Sequence, residues 1–494
     1  MFLGDTEVFR TSTAEPTTDG IIWTYVKEMS QYNTLWKQPQ KLIFDLGSVV
    51  NDVYTGPFNT TLTAYFSHEN NVQTADIILP ISAKKSSSNS SSAFSLPSDS
   101  AVVNYTIPSS ASRAVLSISA CGQSDEEFWW SNVFSSDTEA FNSTVGELYG
   151  YSPFREVQLY IDGVIAGVVW PFPIIFTGGV VPGFWRPIVG IDTFDLRQPE
   201  IDISAFLPQL TDGESHTFEV NVVGLDVSDN GTATLSKSVG SSWVVTGTIF
   251  LYTDSNTTRA TRGSAHDIVV DAPAPKFNVT RHLVQNKTGG NDSLSYSVEA
   301  ERRLTISSPE FSWTQRLSFS NFGLFNQQGY SQVNDQKTVG ENSVRSGNHT
   351  KPSNVSFQYP LWCNTTYGPG GPSGENVSID AIMKRGLNFV ATDVTGISTY
   401  TLTAGPSWEH TTQAGEAHYQ SDSKTSTSSG NTTDDFESFG HGKPYSRHVK
   451  AVNGSIVGDT DLISGGLSSL VSQAPGRDSI RSILGRGPRT SLWS

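Results

Sequence analysis

A run without charged residues, from Gly163 to Trp185, most constrains how this chain can fold. As a helix it could span a bilayer, which requires about 20 apolar residues. Prolines and glycines interrupt it at Pro171, Pro173, Gly178, Gly179, Pro182 and Gly183. They would break a helix and leave backbone groups without partners in lipid. The run therefore predicts buried strands and apolar loops that can line a cleft, and no membrane span.

The surrounding residues 151–196 supply the pattern of a strand pair. Val157–Ile161 and Val164–Trp170 read as two strands joined by a turn at Asp162-Gly163. The loops that follow carry Trp170, Trp185 and Arg186.

The composition predicts an all-β fold. Only 16% of the residues are charged, whereas β-branched, aromatic, glycine and proline residues are plentiful. The first two classes suit pleated, half-buried strands, and the others suit the turns between them. A chain of 494 residues is too long for one core.

Polar segments at 84–93 and 271–277 predict the domain boundaries. We expect a partial first domain in residues 1–91, a second β-sandwich in 92–275, a C-terminal β-rich domain in 276–460 and a tail in 461–494. Residues 406–440 are polar and predict a mobile loop. The tail contains enough apolar residues for one short helix.

Five strand-like runs precede residue 83. They are Phe2–Phe9, Ile21–Val26, Lys41–Leu46, Thr60–Phe66 and Ile77–Ile81. Five strands with alternating polarity would leave exposed edges and half a core. We therefore expect the first domain to be incomplete at its N-terminal side.

The net charge of −16 argues against nucleic acid as a partner, because nucleic-acid binding needs clustered lysine and arginine. The two cysteines, Cys121 and Cys363, have no zinc-type spacing, so no structural metal site is expected. They form either one long-range disulfide or two separate buried thiols.

N-x-S/T sequons occur throughout the chain. They begin at Asn59, Asn89, Asn104, Asn142, Asn230, Asn256, Asn278, Asn286, Asn291, Asn348, Asn354, Asn364, Asn376, Asn431 and Asn453. This density favours the secretory route, so we expect a secreted or vacuolar protein. MFLGDTEVFR lacks the features of a signal peptide, which again suggests a missing N-terminal segment.

Carboxylates are the natural acid and base if this chain is an enzyme, since the sequence contains no G-x-S-x-G, H-E-x-x-H or P-loop motif. Three of them, Asp125, Glu126 and Glu127, directly precede three aromatic residues: Phe128, Trp129 and Trp130. Apolar walls and neighbouring like charges raise a carboxyl pKa, which would suit a general acid. The alternative is an acidic turn followed by aromatic residues of the core.

Two further glutamates are candidates. Glu15 follows an apolar strand and precedes a turn, at a sandwich edge where sites often form. Glu156 stands at a strand start beside Arg155, as half of a surface ion pair or as an inward-pointing acid.

Several stretches together carry a family resemblance. They are RTSTAEPTTDGIIW (10–23), DVYTGPF (52–58), ADIILPIS (75–82), RAVLSIS to DEEFWWSN (113–132), PFREVQLYIDG (153–163), VVWPFPIIFTGG (168–179), WRPIVGIDTFDL (185–196) and DGESHTFEVNV (212–222). The chain resembles the peptide-N4-(N-acetyl-β-glucosaminyl)asparagine amidase A family over residues 1–275. The YPLWCNTTY region (359–367) looks more like the fungal branch of that family.

The resemblance implies tandem jelly-roll sandwiches, the first incomplete here, with a site in the cleft between them. It implies hydrolysis of the amide that joins an N-glycan to asparagine in glycopeptides or glycoproteins, without a metal or other cofactor. The acids in matching motifs are Glu15, Asp125, Glu126, Glu127 and Glu156. The matching binding candidates are Trp23, Trp129, Trp130, Arg155, Trp170, Trp185 and Arg186.

One departure from the family pattern leaves the activity open. Members normally have a Phe-Asp-Arg segment upstream of the strand that here starts at Phe2, and in bacterial relatives an aspartate near that place is the main catalytic residue. The alternatives are therefore an amidase that is inactive as given because of truncation, a non-catalytic glycan-binding sandwich, and a glycosidase with two carboxylates.

Overall fold

A computed structural model of the chain describes most of its length. The described residues are 1–15, 20–47, 51–52, 56, 58–66, 74–254, 264–347, 352–369, 371–372, 376–392, 407–422, 425–440 and 443–463. Two short helices, α1 (Asn33–Trp36) and α2 (Leu207–Leu210), accompany many strands. The 3₁₀ turns are Ser30–Tyr32, Ser86–Ser88, Ser124–Glu126, Trp129–Ser131, Ser135–Asp137, Pro182–Trp185, Ser204–Phe206, Ala265–Asp267 and Gln327–Gly329.

The strands of the first half are mostly short. They are β1 (Phe2–Leu3), β2 (Thr6–Glu7), β3 (Leu42–Ile43), β4 (Ile77–Ile81), β5 (Phe94–Leu96), β6 (Val102–Tyr105), β7 (Ala111–Gly122), β8 (Glu156–Ile161), β9 (Val164–Val169), β10 (Glu200–Asp202), β11 (His216–Val227), β12 (Ala233–Ser236) and β13 (Trp243–Thr253).

The strands of the second half are longer. They are β14 (Val269–Asp271), β15 (Lys276–Gln285), β16 (Asn291–Ser307), β17 (Phe311–Asn326), β18 (Ser331–Ser346), β19 (Ser353–Tyr367), β20 (Val377–Ala391), β21 (Ser407–Ser421), β22 (Ser426–Gly440), β23 (Lys443–Val452) and β24 (Ser455–Ile463).

Two five-stranded antiparallel sheets form a β-sandwich. The first sheet has the strand order β10-β7-β13-β4, and β5 also pairs with β13. The second has the strand order β12-β11-β8-β9, and β6 also pairs with β11. Side chains from both, such as Ile118 and Ile249 on one and Leu159 and Val220 on the other, belong to a single buried apolar core. The all-β class and the sandwich are confirmed.

The second half forms an eleven-stranded antiparallel sheet, which we call the C-terminal sheet. From β16 to β24 every strand pairs with the next strand in sequence. Its inward face lies on the sandwich, because side chains such as Leu304 and Phe319 share the same core. The aromatic contacts at this junction are close: Phe154 meets Trp170, Phe277 and Phe319 with ring centroids 5.3 Å apart.

A glutamine closes the open edge of the sandwich. Strand β9 is the last in its sheet and would expose unpaired backbone groups. The side-chain amide of Gln315 accepts from Val168 N at 2.9 Å and donates to Val168 O at 3.0 Å. These two hydrogen bonds give both backbone groups of Val168 a partner on the side of β9 that has no neighbouring strand.

The N-terminal strands form a small separate sheet, in the order β2-β1-β3. Phe2–Phe9 folds as a tight hairpin because Gly4 adopts a positive φ of 58°. The predicted strands at Ile21–Val26 and Thr60–Phe66 are wrong, since neither run is extended in a sheet. Ile77–Ile81, which the sequence analysis assigned to residues 1–91, pairs with β13 of the sandwich.

The hairpin predicted in the charge-free run is confirmed as β8 and β9. Asp162 and Gly163 both have positive φ, 48° and 77°, as the two-residue turn of a right-twisted hairpin requires. Within the described residues, no helix is long and apolar enough to cross a bilayer.

The mobile loop predicted for residues 406–440 is wrong, because β21 and β22 occupy most of it. Burial alternates strictly along Ser407–Ala417. Composition concealed these strands because their inward side chains, including Thr411 and Gln413, are polar and buried. The tail after residue 463, with the short helix predicted in it, lies outside the described residues.

Both cysteines are buried free thiols, so the second alternative for this pair is confirmed. Burial raises the pKa of Cys363 to about 12, while the charge of Arg385 opposes the shift. Such a thiol stays protonated and is a poor nucleophile.

Asp434 on the inward face of the C-terminal sheet is a buried carboxyl with one oxygen, Oδ1, that has no hydrogen-bond partner. Burial raises its pKa to about 7. Asp435 and Glu409 add to the increase, whereas Arg447 and Arg385 oppose it.

We expect this proton to make stability pH-dependent. The folded protein binds it more tightly than an ordinary carboxyl of pKa 3.8 does. The proton stabilises the folded state by about 1.4 kcal/mol for each unit by which the pKa is raised. This stabilisation is complete at a pH below the ordinary carboxyl pKa and is lost as the pH rises through about 7. Asp434→Asn should flatten the free energy of unfolding between about pH 5 and about pH 8, measured in denaturant.

Asp292→Asn is the matched control, since Asp292 lies at an exposed position of β16. It should keep the wild-type slope. An Asp434→Asn protein with the same slope as wild type would show that Asp434 titrates normally.

Candidate functional site

The N-terminal segment is fixed to the sandwich by a buried ion pair. Arg10 donates twice to Glu7, through Nε to Oε1 and through Nη2 to Oε2, both at 2.7 Å. Arg10 Nη1 also donates to Val244 O at 2.8 Å, and Thr246 Oγ1 donates to Glu7. Burial alone would raise the pKa of Glu7, but Arg10 and these hydrogen bonds hold it below its ordinary value.

From this anchor the chain runs beside the loop that follows β9. Leu196 N donates to Arg10 O at 2.9 Å, and Ser12 N donates to Thr193 O at 2.7 Å. These backbone bonds bring Glu15 close to a turn at Gly178-Gly179. A methyl group on Gly178 would lie 3.5 Å from Glu15 Oε2.

Glu15 and Arg186 form an ion pair at this turn. Arg186 Nη2 donates to Glu15 Oε1 at 2.8 Å, and the Arg186 side chain keeps 35% of its surface exposed. Arg186 Nε is buried and has no hydrogen-bond partner. An unsatisfied buried donor is uncommon and calls for an explanation such as function.

Residues 125–130, which we call the acidic-aromatic motif, also contact this turn. The ring of Phe128 lies against Gly179, where a methyl group would be 3.2 Å from Phe128 Cε1. Glu127, directly before it, is half-buried, and burial raises the pKa of this carboxyl. The segments of Glu15 and Glu127 therefore flank one turn, which we call the glycine turn.

Glu126 and Arg155 form a fully buried ion pair, away from solvent. Arg155 donates to the two Glu126 oxygens at 2.5 and 2.7 Å. Trp243 Nε1 and Gly240 N donate to the same carboxylate at 2.7 and 2.9 Å. Arg155 Nη1 donates to three backbone carbonyls, those of Tyr151, Ser152 and Phe154. With every partner satisfied, the pair fastens the acidic-aromatic motif to β8.

Glu156 lies in the junction between the sandwich and the C-terminal sheet. It accepts hydrogen bonds from Arg302, from Gln158 Nε2 at 2.7 Å and from Trp170 Nε1 at 2.9 Å. The carboxylate is fully buried, so it is an inward-pointing acid. In this structure it contacts other residues of the protein on all sides.

Four of the tryptophans predicted to bind substrate are packed inside the protein. Trp129, Trp130, Trp170 and Trp185 are each at most 3% exposed. Their ring faces are covered, for example by Trp243 over Trp129 and Phe154 against Trp170. In this structure they have no free face on which a sugar could stack.

The remaining candidates keep some exposed surface. Asp125 is half-buried near Gly240, and Trp23 is half-buried between Phe58 and Phe194. Among the five candidate tryptophans, Trp23 is the one that is not fully buried.

Three residues at the glycine turn, Phe128, Ser12 and Thr177, were not predicted from the sequence. Phe128 was noted only as an aromatic neighbour, yet it contacts Gly179. Ser12 and Thr177 lie side by side, with hydroxyl oxygens 3.4 Å apart. Nothing in the sequence distinguishes these two hydroxyls from many others. Among the described residues, no group of three or more His, Cys, Asp and Glu side chains could hold a metal ion.

We predict a large loss of stability for Glu126→Gln, because it would leave the Arg155 guanidinium buried without a counter-charge. Breaking a buried pair from one side costs about 3–5 kcal/mol. Equilibrium unfolding in denaturant measures the change.

The control is Glu341→Gln, which removes the partner of Arg316 from an exposed pair. That change should cost less than about 1 kcal/mol. Equal effects of the two substitutions would contradict a structural role of the buried pair.

Most of the chain matches one family of known proteins. Residues 1–268 match the family described as peptide N-acetyl-beta-D-glucosaminyl asparaginase amidase A, and residues 295–361 match the PNGase_A C-terminal domain. Peptide-N4-(N-acetyl-beta-glucosaminyl)asparagine amidase A of Prunus dulcis is 30% identical over 422 residues, which cover 79% of this chain and 70% of the relative. The chain therefore belongs to the peptide-N4-(N-acetyl-β-glucosaminyl)asparagine amidase A family.

Proposed function

We propose that this protein is a peptide-N-glycanase-like amidase that hydrolyses the amide between an N-glycan and asparagine in glycopeptides or glycoproteins. The family supports the reaction. The observation that carries the proposal to particular residues is the glycine turn, where Glu15, paired with Arg186, meets Phe128, the next residue after the half-buried Glu127. Amide hydrolysis needs two groups of this kind, a base and an acid.

The reaction assigns a role to each group. A carboxylate, here Glu15 oriented by Arg186, takes a proton from water as the water oxygen adds to the side-chain amide carbon. The carbon–nitrogen bond then breaks, and the leaving nitrogen receives a proton from Glu127. The products are a glycosylamine and a peptide that carries aspartate. A raised pKa keeps Glu127 protonated further toward neutral pH, as a general acid requires.

A defined glycopeptide tests the function directly. After incubation with the protein, mass spectrometry of the peptide should show aspartate in place of the glycosylated asparagine. Retention of one N-acetylglucosamine on the peptide would identify a glycosidase instead. Binding of the glycopeptide without any product would identify a glycan-binding protein.

We predict that Glu127→Gln lowers kcat by about 10²–10⁴-fold, the usual contribution of a general acid. Wild-type activity should fall as the pH rises through the raised pKa of Glu127, because the acid form is then lost. Glu127→Gln should abolish this part of the pH–rate profile.

Glu147→Gln, at an exposed position, is the control and should behave as wild type. A Glu127→Gln protein with unchanged kcat and an unchanged profile would remove Glu127 from the reaction. Glu15→Gln, assayed in parallel, tests the base in the same way.

We also propose that the protein is secreted or vacuolar. The support is the density of sequons, several of which place asparagine on exposed surface, as at Asn104, Asn230 and Asn431. Mass spectrometry of peptides from the native protein should detect glycans at such positions. Unmodified asparagine at all of them would contradict passage through the secretory route.

A further inference from the structure

The loop between β9 and β10, residues 170–199, carries Arg186 but has almost no regular structure of its own. Its only regular element is the 3₁₀ turn Pro182–Trp185. Much of the loop is buried, including Phe184 and Trp185. Buried backbone groups outside helices and sheets must find partners elsewhere, since each orphan costs as much as a lost hydrogen bond.

The C-terminal sheet supplies these partners through side chains. Thr432 Oγ1 donates to Phe184 O at 2.9 Å, and Gln413 Nε2 donates to Val189 O at 2.8 Å. The two donors lie on β22 and β21, and both are buried. Their acceptors stand two residues before and three residues after Arg186, so the bonds bracket it. Near the start of the loop, Arg385 Nη2 donates to Pro173 O at 2.9 Å.

Two glycines of the C-terminal sheet make room for the loop. A methyl group on Gly430 would lie 2.8 Å from Gly183 O, and one on Gly415 would lie 2.8 Å from the Phe184 ring. Gly183 in the loop has no room for a side chain either, since a methyl group there would lie 2.4 Å from Ser429 O. Backbone therefore packs on backbone, an approach that only glycine permits.

The contacts continue to the ion pair at the glycine turn. Trp185 Nε1 donates to Gly179 O at 2.7 Å and closes the loop on itself. Arg186 follows directly and reaches Glu15. The position of Arg186 is thus set by a chain of contacts that begins on β21 and β22.

We propose that Thr432, Gln413, Gly415 and Gly430 of the C-terminal sheet are positioning residues for Arg186 at the site. The inference rests on the proposed function for its kinetic test. It assigns the C-terminal sheet a part in the reaction, although none of these four residues touches the glycine turn's acids. They act through the loop: Thr432, Gly415 and Gly430 contact the Pro182–Trp185 turn. Gln413 binds the backbone just after Arg186, at Val189.

The first test compares Thr432→Val with Thr432→Ser. Valine has the shape of threonine but leaves Phe184 O without its donor, whereas serine keeps the hydroxyl. Misplacement of a reacting group by about 1 Å can cost about a hundredfold in rate, so Thr432→Val should lower kcat/KM on a glycopeptide by about ten- to a hundredfold. Thr432→Ser should restore most of it.

The second test asks whether the loss passes through Arg186. If Thr432 acts by placing that side chain, Thr432→Val should have little further effect in an Arg186→Ala background. Additive losses in the double variant would overturn the proposal. So would wild-type kcat/KM in Thr432→Val.

The third test uses the glycine contacts and has a readout independent of activity. Gly415→Ala should speed amide hydrogen exchange in residues 179–190, and Phe184→Leu in the same protein should reverse much of this by vacating the space. Gly458→Ala is the matched control, since its methyl group would lie 3.8 Å from the nearest atom, Lys450 Cβ. It should leave both exchange and kcat/KM unchanged.

The outcomes separate the two proposals. A wild-type protein that does not cleave the glycopeptide would refute the proposed function, while faster exchange confined to residues 179–190 in Gly415→Ala would still support the positioning of the loop. Exchange unchanged in Gly415→Ala, or raised equally across the sandwich, would overturn the positioning.

Discussion

The structure depends on one requirement, that the buried backbone of an irregular loop must be hydrogen-bonded. Residues 170–199 cross the face of the sandwich without pairing as strands. The carbonyls of Pro173, Phe184 and Val189 are instead bonded by side chains of the C-terminal sheet. The edge strand β9 is treated in the same way by Gln315. Where the C-terminal sheet meets this loop, these polar side chains stand beside apolar contacts, such as Ile188 with Val449 and Ile191 with Leu387.

Buried charge pairs join the same parts. The pair Glu126–Arg155 holds the acidic-aromatic motif on β8. The pair Glu156–Arg302 joins the sandwich to the C-terminal sheet. The pair Arg197–Glu409, 2.7 Å apart, joins the loop after β9 to the C-terminal sheet. Burial of such pairs costs desolvation, which excellent geometry and extra hydrogen bonds must offset. Arg155 and Glu126 meet this condition fully. Among the candidate acids, Glu15, Asp125 and Glu127 are not fully buried, and they lie outside such closed networks or at their margin.

Much of the fold was predictable from local pattern. The β8–β9 hairpin followed from a strand, an Asp-Gly turn and a second strand, because its register depends only on neighbouring residues. The strands β21 and β22 were missed because Gln413 and Thr432 face the protein interior, a property that only the loop on the other side of the interface explains. Of the residues that meet at the glycine turn, Glu15 and Arg186 were named from their places in the sequence and from the family resemblance. Among the acids, however, sequence could not separate Glu127, half-exposed, from Glu126, its buried neighbour, because both stand beside the same aromatics.

The connectivity of the two halves has a consequence for folding. From β16 to β24 each strand pairs with its neighbour in sequence, whereas β13 (Trp243–Thr253) must find β4 (Ile77–Ile81), which lies far earlier in the chain. Short closures cost less chain entropy than long ones, so contacts between neighbours form faster. We therefore expect the C-terminal sheet, although synthesised after the sandwich, to assemble without waiting for it. It would then act as a surface on which the slower, long-range pairing of the N-terminal half is completed.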